Sequence, residues 1–295
     1  MVWCSGWKLA SAVSNAGALG LIGAGSMYPD VLRDHIRKCK SATVHPFGVN
    51  VPLLYPDIDK HIQIILDEEV RIVFTSAGNP SDWTKTLQEK GVCVVHVVSS
   101  EKFALKSEEA GVDAVVAEGF EAGGHNGIEE TTTLCLVPSV VNAVKIPVIA
   151  AGGIANGKGV LAAFALGAQG VQIGTRFVMS SESSAHENFK TKIITASEGD
   201  TQFALKKLNP VRMLRNPFFD EIHAAESKGA TSEELIQLLG RARAKLGIFE
   251  GDMKSGELGI GQVSAMVHEI KPAAEIIAQL VSEYHRAKQL LKSYL

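Results

Sequence analysis

The chain has no apolar run approaching the roughly 20 residues that a membrane-spanning helix needs. It has no basic stripe: 29 Lys and Arg stand against 32 Asp and Glu for a net charge of −3, which argues against nucleic acid as a partner. The opening residues, MVWCSGWKLASAVSNAG, lack the basic start and long apolar centre of an export signal. Cysteine is sparse. Cys4, Cys39, Cys93 and Cys135 lie far apart with no CxxC pair, so reduced thiols in a cytoplasmic setting are expected, with no disulfide framework or zinc site. No HxxxH or HxH pair is present, and no transition-metal site is expected. GxSxG is missing, which leaves an α/β-hydrolase nucleophile unsupported. GxGxxG is missing as well, since LIGAGS (21–26) offers only GxG, so a Rossmann dinucleotide domain is not indicated.

What the chain does have is material for a core. Of its 295 residues 46% are apolar and 21% charged, both globular values, and (β/α)8 barrels reach this length as one unit. Short β-branched runs alternate with helix-length segments: LGLIG (19–23), FGVNV (47–51), IVFTSA (72–77), CVVHV (93–97), AVVAEG (114–119), PVIAAGG (147–153) and GVQIGT (170–175). Runs apolar at consecutive positions suit parallel strands buried on both faces, which need helical crossovers. DIDKHIQIILDEE (57–69) is such a crossover, with Ile58, Ile62, Ile65 and Leu66 on one face. The choice lies between a barrel and a doubly wound sheet. Seven strands are visible where a closed barrel has eight, and Trp7 to Ala16 is already helical in pattern.

After Phe177 the rhythm changes. Residues 182–255 carry helical patterns and no further convincing strand, and are expected to form a helical insertion over the active face. TSEELIQLLGRARAKLG (231–247) reads as one helix opened by a Thr231–Glu234 capping box. The barrel is assigned to 1–181 and 256–295, with Pro272 opening the last helix.

Parallel βα folds bind ligands beyond the carboxyl ends of their strands. Three glycine-bearing strand ends stand there: Gly123-Gly124-His125, Gly152-Gly153-Ile154 and Gly174-Thr175-Arg176. The last two follow consecutive strands, a frequent phosphate position where backbone N–H groups hold the anion. The blander role of these glycines is to turn tight loops. His125, behind two glycines and near Glu118 and Glu121, is either a proton-transfer group or a polar loop residue. Asn50 and Ser76 end strands. His96, within VVHVV, is either pocket-facing or a core histidine. His35, His61, His186, His223, His268 and His285 lie in helical patterns and are expected on solvated faces.

SNAGALG (14–20), FGVN (47–50), EGFEAGGHNG (118–127), IPVIAAGGIANGKG (146–159) and GAQGVQIGTRF (167–177) strongly resemble the FMN-dependent family that joins enoyl-ACP reductase II to nitronate monooxygenase. The likeness runs from Met1 to about Phe177 and resumes at GIGQVSAMV. It implies an α/β fold of TIM type, a (β/α)8 barrel here lacking its first strand. It places Gly152, Gly153, Gly174 and Thr175 at the FMN phosphate, and Met1, Asn50, Ser76 and Glu118 with the rest of the flavin. Ala122, Gly123 and Gly124 fall in the loop beside the ring, His125 matches the histidine assigned proton transfer, and Gln262 matches a late GQ near the substrate. Two departures count. Family members carry a strand ending Gly-Gly-Met before the first helix, where this chain begins at Met1, and Ala18 replaces a usual glycine.

The resemblance implies an oxidoreductase with FMN as cofactor and NADH or NADPH as co-substrate. MVW, AEG before FEAGGH, and Arg176 favour the enoyl-ACP reductase branch, acting on an acyl-carrier-linked or small-molecule substrate. The alternative is a nitronate monooxygenase, with the nitronate as reductant and oxygen as acceptor. A third class, a non-catalytic remnant without flavin, follows from the missing strand. A homodimer is common among such barrels.

Overall fold

The computed structural model describes residues 1–293. Seven parallel strands form one curled sheet: β1 (Gly20–Gly23), β2 (Phe47–Pro52), β3 (Ile72–Ser76), β4 (Cys93–Val98), β5 (Ala114–Glu118), then, past the two-residue β6 (Gly124–His125), β7 (Val148–Ala151) and β8 (Gly170–Gln172). Their order in the sheet is their order in the chain, with β6 elsewhere. Helix α1 (Trp7–Asn15) precedes β1. The crossovers are α2 (Pro29–Ala42), α3 (Ile58–Asp67), α4 (Thr84–Gln88), α5 (Glu101–Glu109), α6 (Thr133–Ala143) and α7 (Gly157–Ala165), and the short α8 (Thr175–Val178) follows β8.

Alternation along each strand builds two apolar layers. Val49, Val51, Val73, Val94, Val98, Val115 and Ala117 face outward and pack on Leu32, Ile36, Ile62, Ile65, Leu136 and Val140 of the helices. Phe74, Val95, Ala114, Val116 and Ala151 face inward and meet one another in the hollow of the sheet. Each Val, Leu, Ile or Phe among them contributes about 1.5–3 kcal/mol on burial. That double burial is why the strand runs are apolar at successive positions.

Among the described residues β1 and β8 do not pair, so the sheet has two edges. The helical layer is nevertheless continuous across them. Leu9 and Val13 of α1, Phe177 of α8, and Ala273 and Ile276 at the start of the last helix share one buried cluster. At the carboxyl end of this opening the first residues fold back on β1: Gly23 N–H donates to the Ser5 carbonyl at 2.9 Å, and Ser5 Oγ donates to the Leu21 carbonyl at 2.6 Å.

The segment after β8 corrects the expectation of a purely helical insertion. Between α9 (Glu187–Ile194) and α10 (Pro217–Ser227) lie β9 (Thr201–Ala204) and β10 (Val211–Leu214), antiparallel to each other, and β10 also pairs with β6. TQFA and VRML are only four residues long, and their strand character depends on partners distant in sequence. Helix α11 (Ser232–Leu239) is also shorter than its pattern, because Gly240 turns out of it at φ +61°. Its capping box forms, with Glu234 N–H donating to Thr231 Oγ1 at 3.3 Å and Thr231 N–H to the Glu234 carboxylate at 2.8 Å. GIGQVSAMV makes a single 3-10 turn over Gln262–Met266, and α12 (Ala273–Lys292) closes the chain behind Pro272. No helix among the described residues is long and apolar enough to cross a membrane.

Thr231→Ala removes one side of the capping box and leaves the sheet untouched. It is expected to cost about 1 kcal/mol, read as a shift of the denaturant midpoint with unchanged slope.

Candidate active site

The inward residues at the carboxyl ends of the strands are polar, unlike those beneath them. Asn50 of β2 donates its side-chain amide to the Phe74 carbonyl at 3.1 Å and to Ser76 Oγ at 3.4 Å, tying β2 to the end of β3. Glu118 ends β5 in register with Ala151, which in turn is in register with Gln172 of β8. Burial pushes the Glu118 carboxyl up to about 7. Gln172 Oε1 is buried and has no hydrogen-bond donor among the described residues. The sequence reading missed Gln172. Its signal was the alternation of β8: Val171 and Ile173 pack on the helical side, leaving Gln172 on the inner face.

Beyond β7 and β8 the chain turns on glycines. Gly152 and Gly153 hold φ of +89° and +68°, a region other residues enter with strain. No protein acceptor takes the N–H groups of Gly153, Ile154, Gly174 or Thr175 among the described residues. Thr175 Oγ1 accepts from Gly261 N–H at 3.0 Å, so its own proton is free to donate outward. A Cβ on Gly174 would approach only the Met1 side chain, at 3.7 and 3.8 Å. The two turns and Met1 therefore share one concave edge lined by unsatisfied donors.

The loop after β5 supplies the opposite wall. Gly123 lies so close to the later chain that a Cβ would stand 2.3 Å from the Ile260 carbonyl carbon and 2.4 Å from Gly261 N. Glu121 is structural: its carboxylate accepts from Thr133 N–H at 2.9 Å and Oγ1 at 2.8 Å, and its carbonyl accepts from Gln262 N–H at 3.0 Å. The Ala122 carbonyl accepts from the Asn126 side chain at 2.9 Å, which closes the turn. Gln262 thus joins the loop through its backbone, with its side chain exposed. His125 is exposed, and its imidazole makes no hydrogen bond to the described residues. Desolvation by the surrounding chain lowers its pKa below the ordinary histidine value.

Two histidines lie elsewhere. His96 points outward into the helical layer beside Val94 and Val98, its Nδ1 2.7 Å from Thr75 Oγ1, and burial lowers its pKa to about 4. It is a core histidine. His61 corrects the expectation of a solvated face: it is 5% exposed, with its ring nitrogens 3.0 Å from the Asp57 carbonyl and 2.9 Å from that of Met27. Helical periodicity could not show that the loop before α2 would lie over it.

The arrangement gathers polar strand ends and two glycine turns with free N–H donors at the carboxyl end of the sheet, and the loop after β5 adds an imidazole without a hydrogen bond among the described residues. A profile of the nitronate monooxygenase family matches residues 1–61 and 56–283 of this chain. The chain belongs to that family. Nitronate monooxygenase-family proteins are flavin-dependent oxidoreductases, and this chain is an oxidoreductase of the same family. A probable nitronate monooxygenase of Staphylococcus aureus (strain MSSA476) is 32% identical, over 96% of this chain and 92% of its own. A 5-hydroxy-7a-methyl-1-oxo-octahydro-1H-indene-4-carboxyl-CoA dehydrogenase of Rhodococcus jostii (strain RHA1) is 30% identical, over 96% and 90%. Among solved structures, FabK from Thermotoga maritima superposes with a TM-score of 0.95 at 43% identity, covering 100% of this chain and 94% of its own. Nitroalkane oxidase from Streptomyces ansochromogenes gives 0.83 at 28%, covering 98% and 94%. These likenesses agree with the TIM-type fold.

The Glu118 carboxyl generates a pH prediction. Its pKa is about 7 in the fold against an ordinary glutamate value of 4.5, so between these values the folded state keeps a proton that the unfolded chain has released. Its contribution is therefore intact below the lower value and is lost as pH rises through the upper one. Melting temperature should fall less between pH 5 and pH 8 in Glu118→Gln than in the parent protein.

Proposed function

We propose that this chain is an FMN-dependent enoyl-ACP reductase that uses NADH or NADPH. The observation that carries the proposal is the 43% identity to FabK, an enoyl-ACP reductase, over the whole chain with a TM-score of 0.95. The carboxyl-CoA dehydrogenase among the relatives adds a second thioester-linked name.

The residues present fit FMN. Gly152, Gly153, Gly174 and Thr175 offer N–H groups and a hydroxyl to a phosphate, and a Cβ on Gly152 would stand 2.7 Å from the Gly119 carbonyl oxygen, so this turn packs only as glycine. Asn50, Ser76, Glu118 and the unpartnered Gln172 offer polar atoms to a flavin's ribityl chain and ring, with Met1 beside Gly174 as an apolar neighbour. In the loop of Ala122, Gly123 and Gly124, only Gly124 faces open space, where a Cβ would meet nothing within 4 Å, while Gly123 packs against Ile260 and Gly261. Once bound, FMN supplies the hydride chemistry.

The chain's own work is position and proton transfer. His125 carries no competing hydrogen bond, so both ring nitrogens are free for substrate and solvent. Its lowered pKa leaves it neutral near pH 7, able to hydrogen-bond a thioester carbonyl or to pass a solvent proton toward the α-carbon. Gln262, exposed at the rim, is placed to contact the substrate.

The second reading, a nitronate monooxygenase, rests on the family match and on the Staphylococcus relative. In it His125 would act as a base toward a nitroalkane.

The purified flavoprotein is mixed without oxygen with NADH and then NADPH while the flavin band near about 450 nm is followed. The expected result is rapid bleaching, with reoxidation on adding an enoyl thioester. A band that survives both nucleotides and bleaches with an alkyl nitronate overturns the proposal for the second reading. Protein that stays colourless after incubation with FMN restores the non-catalytic reading. In His125→Ala the band should remain and bleach, while turnover falls about 10²–10⁴-fold.

A further inference from the structure

The strand that carries His125 is two residues long. Its register with β10 is Val211 opposite His125 and Arg212 opposite Gly124, prolonged by Asn126 N–H donating to the Pro210 carbonyl at 2.9 Å. So short a pairing, next to a glycine with φ +79°, holds an orientation poorly on its own. Another group must hold the loop.

Arg212 is 2% exposed, and no carboxylate lies within salt-bridge distance of it among the described residues. A buried charge without a carboxylate is costly unless hydrogen bonds and packing offset it. Here they tie the start of the His125 loop to β9. The Nε–H donates to the Phe120 carbonyl at 3.1 Å, and Nη1 reaches the Thr201 carbonyl and hydroxyl at 3.4 Å. The guanidinium carbon lies 4.7 Å from the ring centre of Phe120 and 4.2 Å from that of Phe203, and those rings stack 4.4 Å apart at 3°. Cation and rings form a triangle that joins the exit of β5, β9 and β10 in one contact. Burial brings the guanidinium pKa down to about 10, still well above neutral, so the charge is kept.

We propose that Arg212 is the positioning residue for His125. Its side chain fixes the Phe120 carbonyl where the loop begins, and its own peptide pairs with Gly124 where the loop ends. One residue thereby sets both ends of 120–124 and the direction in which His125 leaves them. The inference rests on the assignment of His125 to proton transfer, and its test separates the two.

Arg212→Met, Arg212→Lys, His125→Ala and the Arg212→Met/His125→Ala double variant are prepared as FMN-loaded protein. Turnover is measured with NADH and NADPH and crotonyl-CoA, and amide hydrogen exchange is followed over residues 120–127. Arg212→Met is expected to lower kcat roughly ten- to a hundredfold with little change in KM, and to speed exchange in this segment but not in β2–β4. Arg212→Lys, which keeps the charge between the same partners, recovers part of the loss. In the His125→Ala background Arg212→Met lowers kcat no further. Unchanged kcat in Arg212→Met, or the same loss with and without His125, overturns the proposal. If His125→Ala alone retains full turnover, the proton-transfer assignment fails, and unchanged exchange over 120–127 in Arg212→Met then overturns the clamp by itself. Should Arg212→Met fail to fold, Phe203→Leu takes away one ring of the triangle and is judged by the same outcomes.

Discussion

Because each strand of the sheet pairs parallel with the next, the chain must travel back along a helix before every new strand, and all the βα loops emerge at one end. Asn50, Ser76, Glu118, Gln172 and the two glycine turns lie at that end although more than a hundred residues separate the first from the last. The same pairing buries both faces of each strand, so polar residues are tolerated chiefly where strands finish. Below Glu118 the inner face carries Val116 and Ala114, and only at the rim do charge and amide appear.

The rim itself is held by contacts from outside the repeating pattern. Glu121 ties the loop after β5 to the start of α6, Gly123 lets the chain at Ile260 and Gly261 press against it, and β10 pairs with its far end. Each of these reaches the loop from a different part of the chain. The segment that follows β8 is therefore part of the wall: Phe189 and Ile193 of α9 share a buried cluster with Val178 and Met179, and Phe218 and Phe219 of α10 share another with Val211 and Met213. A histidine that must meet a ligand needs such external support, since the loop has two adjacent glycines and little stiffness of its own.

The parallel strands were legible because burial on both faces leaves a strong local mark, and every one of the seven lies within a few residues of its apolar run. The glycine turns at 152–153 and 174 were legible for a related reason, as strand ends followed by helices. The hairpin of β9 and β10 left no such mark. Four-residue strands whose pairing depends on Gly124 and on each other resemble the helix-rich sequence around them. His96 was left open and His61 was expected on a solvated face, because the side of a strand or helix on which a polar group lies depends on what packs there. Thr75 settles the first and the Met27 carbonyl the second.

Sequence alone determined the alternation of strand and helix, the polar strand ends, the glycine turns and the presence of His125 among them, since each is a property of a few neighbouring residues. Tertiary structure decided which of these share a cleft, that Gln172 faces into it with an unpartnered oxygen, that Glu121 is an anchor, and that Arg212 lies behind His125. These are contacts between segments tens of residues apart, and no local pattern encodes which of them will touch.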